Sequence, residues 1–332
     1  MINNKKIAVI IPSYKVSKHI LSVLSDIPDI VDHIYVVDDA CPENSGKLVD
    51  KKCKDKRVKV IYNEINQGVG GATINGMQAA LSDEVDCMVK IDGDGQHDPL
   101  LLEKFVRPII EGCADFTKGN RFFYLEDLKQ MPTVRLIGNA LLSFAGKLSS
   151  GYWNIFDPTN GYLAIHPAVF KALPHNKINK RYFFESDLLF RLYTVRANII
   201  EIPMHALYGE EESNLQPAKM ILPFLFNHIK NMLKRVFYSY FLRNFSLVSI
   251  YLIFGAVFLT LGAVMGITTW LNYLGMENGA PFGMVVFPGI MILIGLEMLI
   301  GFLSNDVSSV PNSPIHPLLS LTSYSSNKKD KK

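Results

Sequence analysis

The sequence predicts an α/β domain with a mainly parallel central sheet, followed by a C-terminal hairpin of two transmembrane helices. Three observations carry this expectation. Over residues 1–216, short β-branched runs alternate with helix-like stretches, the pattern of strands joined by crossover helices. Polar and acidic residues follow directly on the strand-like runs, where sheets of this kind bind their ligands. From Asn244 to Met276 no residue is charged, and a second apolar run begins at Pro281; about 20 apolar residues suffice to cross a bilayer core.

Strands are predicted at Ile7–Ile11, Ile34–Val37, Val58–Tyr62, Cys87–Ile91 and Ala114–Thr117, and helices at Ser45–Lys52, Gly70–Leu81 and Pro99–Ile110. The first strand leads into Pro12-Ser13-Tyr14, where a dinucleotide-binding domain would carry G-x-G-x-x-G. Glycines gather instead after the third strand, at Gly68-Val69-Gly70-Gly71, and no Lys-Ser/Thr pair follows to make a P-loop. A glycine turn opening a helix suits either a phosphate or a tight connection.

The two apolar runs are joined by a short link, Asn272–Ala280. Lys230, Lys234, Arg235 and Arg243 precede the first run, Lys328, Lys329, Lys331 and Lys332 lie beyond the second, and the link has neither Lys nor Arg. The positive-inside rule then puts both ends in the cytoplasm, with Trp270 and Tyr273 at the opposite interface. Glu297 is the one charge in the second run; an intramembrane carboxylate is a functional suspect, but snorkelling or helix packing accounts for it equally. Residues 217–243 mix apolar clusters with basic residues and are expected to form one or two amphipathic helices on the inner leaflet. Residues 244–304 form the hairpin, and the Ser- and Pro-rich residues 305–332 are expected to be a flexible cytoplasmic tail.

Composition narrows the function. The 332 residues hold 34 Lys+Arg against 31 Asp+Glu, a net charge of +3, which is too weak a bias for a nucleic-acid binder. With 20% charged and 48% hydrophobic residues, disorder is excluded. A mean hydropathy of +0.16 is high for a soluble enzyme and is explained by the two apolar runs. Cys41, Cys53, Cys87 and Cys113 have neither zinc-ligand spacing nor the density of a disulfide framework. The apolar run after MINNKK is too short for a signal-peptide core, so the first part of the chain is expected to stay in the cytoplasm.

Two strand ends are acidic: Asp38-Asp39 after the second strand, and Asp92-Gly93-Asp94-Gly95-Gln96 after the fourth. Two carboxylates flanking a glycine can share one hard cation, Mg²⁺ or Mn²⁺, which then bridges a nucleotide diphosphate. Taken in order, IPSYK at Ile11, VVDDACPENS at Val36, NQGVGGATINGM at Asn66, KIDGDGQHDP at Lys90, KGNRF at Lys118, DPTNGYLAIH at Asp157 and RYFFESDLLFRL at Arg181 resemble the family-2 glycosyltransferases of the GT-A fold. They resemble especially the branch that includes dolichol-phosphate mannose synthase and the bacterial polyprenyl-phosphate sugar transferases. The likeness runs from residue 7 to about residue 215.

The resemblance implies a GT-A nucleotide-diphospho-sugar transferase domain. It implies a donor nucleotide held by Pro12, Tyr14, Asp38, Asp39, Gly68, Gly70, Gly71 and Asp92, and a metal and diphosphate held by Asp92, Asp94 and Gln96. It also implies a single in-line, inverting displacement. A hydroxyl acceptor needs a general base, for which Asp187, and secondarily Asp157, are the candidates. A phosphate acceptor, with a second pKa near 6, needs cationic guidance instead, from Lys118, Arg121 or Arg135, with Ser213 beside it. For Asp38 and Arg121 a helix cap or surface pair is the competing reading, and for Asp187 a carboxylate at a helix N-terminus. The branch usually carries a basic residue before Gly-Ser near residue 210, where this chain has Glu210-Glu211-Glu212-Ser213. That departure keeps a lipid-linked glycan hydroxyl open as acceptor beside polyprenyl phosphate. A nucleotidyltransferase is disfavoured by the missing glycine-rich turn after the first strand, and a non-catalytic membrane scaffold by the intact carboxylates. The sequence sets no oligomeric state, and a homo-oligomer is compatible with it.

Overall fold

The computed structural model of the protein describes residues 2–129, 131, 133–205 and 217–321, apart from the side chains of 134, 135 and 217–219. The chain divides into two compact units: Met1–Met232 together with the segment from Pro311 onward, and Leu233–Val310.

The first unit has strands β1 (Ile7–Ser13), β2 (His33–Asp38), β3 (Val58–Tyr62), β4 (Cys87–Lys90), β5 (Phe116–Asn120), β6 (Leu163–Ile165) and β7 (Ile199–Pro203). They form one sheet in the order β3-β2-β1-β4-β6-β5-β7. All neighbours pair in parallel except β6, which runs antiparallel to both β4 and β5. Helices α1 (Ile20–Ser25), α2 (Ser45–Lys52), α3 (Val69–Ser82) and α4 (Leu102–Ile110) connect the parallel half. α5 (Leu125–Lys129), α6 (Thr133–Ser150), α7 (Pro167–Ala172), α8 (Phe184–Thr194) and α9 (Pro217–Phe237) follow, the last belonging to the second unit from Leu233 onward.

The physical logic is that of a sheet covered on both faces. Ile7 to Ile11 in β1 and Cys87 to Val89 in β4 are completely enclosed, so these strands are apolar without alternation. α4 buries Leu102, Phe105, Val106 and Ile109, one stripe at helical spacing, against this core. Gly76 lets α3 sit directly on Ile10 and Val37 of the sheet.

All five predicted strands are present, with ends shifted by up to a few residues. β6 and β7 were not anticipated: β6 has only three residues, and β7 is a short run carrying Glu201 and ending in Pro203. Pro99–Leu101 forms a 3₁₀ turn before α4 rather than part of it.

The second unit holds α10 (Leu247–Tyr273) and α11 (Phe282–Ser308), of mean hydropathy 2.4 and 2.3. At 1.5 Å per residue each is about 40 Å long, more than a hydrocarbon core requires. Only 17% and 11% of their most apolar stretches are buried, which argues against core helices of a soluble protein. A β-carbon on Gly255 or Gly262 of α10 would strike α11, at Leu299 and the Gly295 carbonyl or at Ile292 and the Pro288 carbonyl, the close approach that small residues allow between apolar helices. Glu297 lies on the outward surface of α11.

One expectation changes here. Arg235, read as part of a basic face, is instead buried and paired bidentately with Asp306 at 2.6 and 3.0 Å, with Tyr240 Oη donating to the same carboxylate at 2.6 Å. Of the one or two helices expected over 217–243, there is one, α9, running on into a π-helical turn at Tyr238–Arg243.

The tail expected to be loose is docked as far as residue 321. Asp115, fully buried, accepts the Ile315 N–H at 2.8 Å, the His316 N–H at 2.8 Å, His316 Nδ1 at 2.8 Å and the Asn198 N–H at 2.8 Å. Burial alone would raise the pKa of this carboxyl; the hydrogen bonds outweigh it and hold the group below its usual range. The helical turn at residues 316–321 belongs to the first unit. Residues 322–332 lie outside the described residues. Asp115→Ala should leave several buried donors without an acceptor, cost about 3 kcal/mol, and open residues 311–321 to limited proteolysis, read by mass spectrometry.

Acid should weaken the first unit before its carboxylates titrate. His166, stacked on His316 at 4.2 Å, and His228, bonded to Ser149 Oγ at 2.7 Å, are both lowered to about 4, chiefly by burial. Between about 6.5, the unfolded value, and about 4 the unfolded chain binds protons that the native chain does not, so stability falls as pH falls. Melting temperatures between pH 7.5 and 5 should decline, and His228→Gln should flatten that decline.

Candidate active site

A cavity of about 800 Å³ opens where the parallel strands end. Pro12 lies near the end of β1 and Tyr14 follows it, Asp39 follows β2, and Asp92, Asp94 and Gln96 follow β4; all line it. The topology forces this convergence, because parallel strands present all their C-terminal loops at one edge.

Asp39 is built into the wall. Its carboxylate accepts the Gln67 N–H at 2.9 Å, the Gly68 N–H at 2.8 Å and Asn63 Nδ2 at 2.8 Å. The glycine turn is therefore held against the second strand end, and Gly68, at φ +84°, lines the cavity. A β-carbon there would also collide with the Lys180 carbonyl.

Asp92 is the centre of a charged cluster. Its Oδ1 lies 2.7 Å from the Lys90 ammonium, which also reaches Glu185 Oε1 of α8 at 3.4 Å. Lys90 is 1% exposed. Burial would discharge it, but the two carboxylates prevail and raise its pKa. Burial likewise acts against ionised Asp92, and Lys90 more than compensates, so its pKa is lowered. The Asp92 N–H donates to His97 Nδ1 at 3.1 Å, which leaves the proton on Nε2, 3.8 Å from Asp92 Oδ2. His97, enclosed and stacked on Tyr162 at 5.1 Å, is lowered to about 4 by burial and is neutral near pH 7. Asp94 Oδ1 accepts the Gln96 N–H at 3.0 Å, which tightens the turn between them.

The cavity wall also carries a buttressed arginine. Arg121 lines the cavity, and its Nε and guanidinium bind both oxygens of Asp157 at 2.8 and 3.0 Å. Asp157 is fully buried; burial would raise its pKa, and Arg121 outweighs that and lowers it. Glu201 of β7 accepts the Phe156 and Asp157 N–H groups at 2.8 and 3.0 Å and Asn120 Nδ2 at 2.9 Å. The loop carrying Asp157 and the strand end carrying Arg121 are thus fixed to one carboxylate.

Several sequence-predicted site residues fall elsewhere. Asp38 does not line the cavity; it accepts the Cys41 and Gly46 N–H groups at 2.8 and 2.6 Å and caps the start of α2. Gly70 and Gly71 serve packing rather than a ligand: their N–H groups donate to the Lys180 carbonyl at 2.9 and 3.2 Å, and a β-carbon on Gly70 would strike Phe184. Lys118 is buried behind the wall, donating to the Asn160 carbonyl, and burial lowers its pKa to about 8.

Neither predicted general base faces the cavity. Asp157 is sequestered by Arg121. Asp187 is 4% exposed, and its oxygens are taken by Asn231 Nδ2 at 2.8 Å, the Asn179 N–H at 2.9 Å and Arg191 Nε at 3.6 Å. The side chain of Arg135, and Ser213 with Glu210–Glu212, lie outside the described residues.

The cavity also holds Lys90, Glu185, His97, Arg181 and Tyr182, none of which had been assigned a role. Glu185 was findable. Residues 185 and 187 sit on one helix about 200° apart, so the two carboxylates of FESD cannot both face one cavity.

The donor set suits a hard divalent cation. Asp92, Asp94 and the Gln96 amide oxygen offer oxygen ligands only. Among the described residues no three His, Cys, Asp or Glu side chains form a cage, so phosphate oxygens and water would complete the shell, the usual manner of Mg²⁺.

The family model Glycosyl transferase family 2 matches residues 8–174. The UDP-N-acetylglucosamine–dolichyl-phosphate N-acetylglucosaminyltransferase of Methanococcus voltae is 32% identical over 221 residues, covering 62% of this chain and 88% of that protein. The undecaprenyl-phosphate mannosyltransferase of Micrococcus luteus is 30% identical over 206 residues, covering 60% and 82%. Among solved structures, glucosyl-3-phosphoglycerate synthase from Mycobacterium tuberculosis shares the fold, with a TM-score of 0.52 at 19% identity over 70% of this chain and 80% of that one. With a GT-A-like sheet, carboxylates at its strand ends and a family model that matches half of the chain, the chain belongs to glycosyl transferase family 2.

Proposed function

We propose that this glycosyltransferase moves a sugar from a nucleoside-diphosphate donor to the phosphate of a polyprenyl phosphate at the cytoplasmic face of a membrane, using Mg²⁺ or Mn²⁺. The observation that carries the acceptor assignment is the state of the carboxylates: Asp157 and Asp187 are both sequestered, while the cavity keeps a fixed cation, Arg121. A phosphate monoester is already mostly dianionic at neutral pH. It needs orientation and charge, not a base. Relatives named for dolichyl phosphate, undecaprenyl phosphate and polyprenol support the same reading.

Each residue then has a task. Asp92, Asp94 and Gln96 would hold the divalent ion, whose Lewis acidity stabilises the leaving diphosphate. Asp39 and Gly68 shape the wall for the nucleoside, with Pro12 and Tyr14 on the other side. Arg121, immobilised by Asp157, guides the attacking phosphate into line. The apolar pair α10 and α11 anchors the chain where a lipid acceptor is found. Two apolar helices joined by a short link make an even number of crossings, and the basic residues before the first support both ends lying on the cytoplasmic side.

A hydroxyl acceptor is the second reading. It is favoured by one observation, that Glu185 lines the cavity. Release of nucleoside diphosphate measured with undecaprenyl phosphate and with undecaprenol separates the two. The proposal expects turnover with the phosphate only; turnover with the alcohol, or only with a lipid-linked saccharide, would reassign Glu185 as base.

A further inference from the structure

Lys90 has two claims on it, and one of its partners has another. Its ammonium is 2.7 Å from Asp92 Oδ1 and 3.4 Å from Glu185 Oε1, in a pocket that leaves it 1% exposed. Gly161 closes the remaining side, since a β-carbon there would meet both Asp92 Oδ2 and Lys90 Nζ. Asp92 is also the carboxylate assigned above to the divalent ion. An ammonium touching that carboxylate repels a second cation beside it. Yet a buried ammonium cannot give up a carboxylate without another to receive it.

We propose that Lys90 is a positioning residue that competes with the divalent ion for Asp92 and is received by Glu185 when it yields. The two carboxylates come from different elements, the β4 strand end and α8, so the ammonium can change its main partner by a small shift of its flexible stem. Glu185 is then the receiving seat of this exchange rather than a general base. The exchange couples metal loading to the cavity wall contributed by α8. This inference rests on the metal reading of Asp92 and Asp94.

The test is Mn²⁺ binding, followed by electron paramagnetic resonance on the full-length protein in detergent, alone and with UDP or GDP. K90Q should bind Mn²⁺ about tenfold more tightly than wild type, because Asp92 loses its internal counter-ion. E185Q should bind it several-fold more weakly, because Lys90 loses its alternative seat. A lysine serving only to pack the wall would give K90Q unchanged or weaker binding with an unchanged melting temperature, and that result overturns the proposal. If K90Q does not fold, E185Q decides: weaker binding supports the exchange and unchanged binding contradicts it. Wild type that binds no Mn²⁺ under any of these conditions would remove the metal reading itself, and the exchange with it, which is a different outcome from normal binding that neither variant alters.

Discussion

Asp92→Asn is expected to lower transfer by about a thousand-fold, equivalent to about 4 kcal/mol of transition-state stabilisation, while the protein stays folded. The amide oxygen can still accept from Lys90, whose second carboxylate at 3.4 Å remains, so the cluster keeps a hydrogen-bonded arrangement. What is lost is the charge that would hold the divalent ion at the leaving diphosphate. Nucleotide release under saturating donor, compared with the melting temperature of the same preparation, checks both halves. Near-normal transfer by a folded Asp92→Asn protein would detach the chemistry from this carboxylate.

The second large effect is expected at Asp157. Removing it breaks a pair whose carboxylate is fully buried and whose arginine side chain is 31% exposed. Disrupting a buried pair by deleting one partner costs about 3–5 kcal/mol; the exposure of Arg121 puts Asp157→Ala at the lower end. Transfer should fall as well, because Arg121 loses both anchoring oxygens. Arg121→Ala should be at least as damaging to stability, since it strands the Asp157 charge, and the double variant should be less destabilised than the sum of the singles. The sign of the pH dependence is fixed by the depressed Asp157 pKa. A carboxylate lowered in the native state stabilises above its unfolded value and loses that contribution as pH falls through the native value. The deficit of Asp157→Ala should therefore be the same at pH 6 and pH 8 and shrink only in strong acid. Denaturation at the three pH values measures it.

What could be read from the sequence follows physical rules with long reach. Strands buried on both faces are apolar throughout, so β1, β2 and β4 announced themselves, and the residues after them had to converge at one sheet edge. That is why the acidic strand ends at Asp39, Asp92 and Asp94 could be read from the residues as a place for a ligand; Pro12, Tyr14 and Gln96 came from the family resemblance, and all six line the cavity. The two long apolar helices are legible for a similar reason, since an uncharged run of that length needs no partner to identify it. β6 escaped because three residues carry no periodicity, and β7 because its Glu201 serves as an acceptor for a neighbouring loop.

Side-chain roles were harder, because they depend on contacts across large sequence distances. Asp157 and Asp187 look like catalytic carboxylates in their motifs, but partners at Arg121 and Asn231 engage them. Glu185 looked incidental and is the one that lines the cavity. Arg235 read as a surface cation until Asp306, on another helix, paired with it. The docking of Ile315 and His316 on Asp115 likewise joins residues about two hundred positions apart, which composition could only describe as a polar tail.

The central claim is that the cavity around Asp92 and Arg121 places a sugar on a lipid phosphate. It is tested most directly by mass spectrometry of the lipid extracted after the full-length protein is incubated with undecaprenyl phosphate, Mn²⁺ and a panel of nucleotide sugars. The account predicts one donor that yields a single sugar on the lipid phosphate, cleaved by mild acid and absent with Asp92→Asn. A sugar found only on an added lipid-linked saccharide, or no glycosylated lipid with any donor, would contradict it.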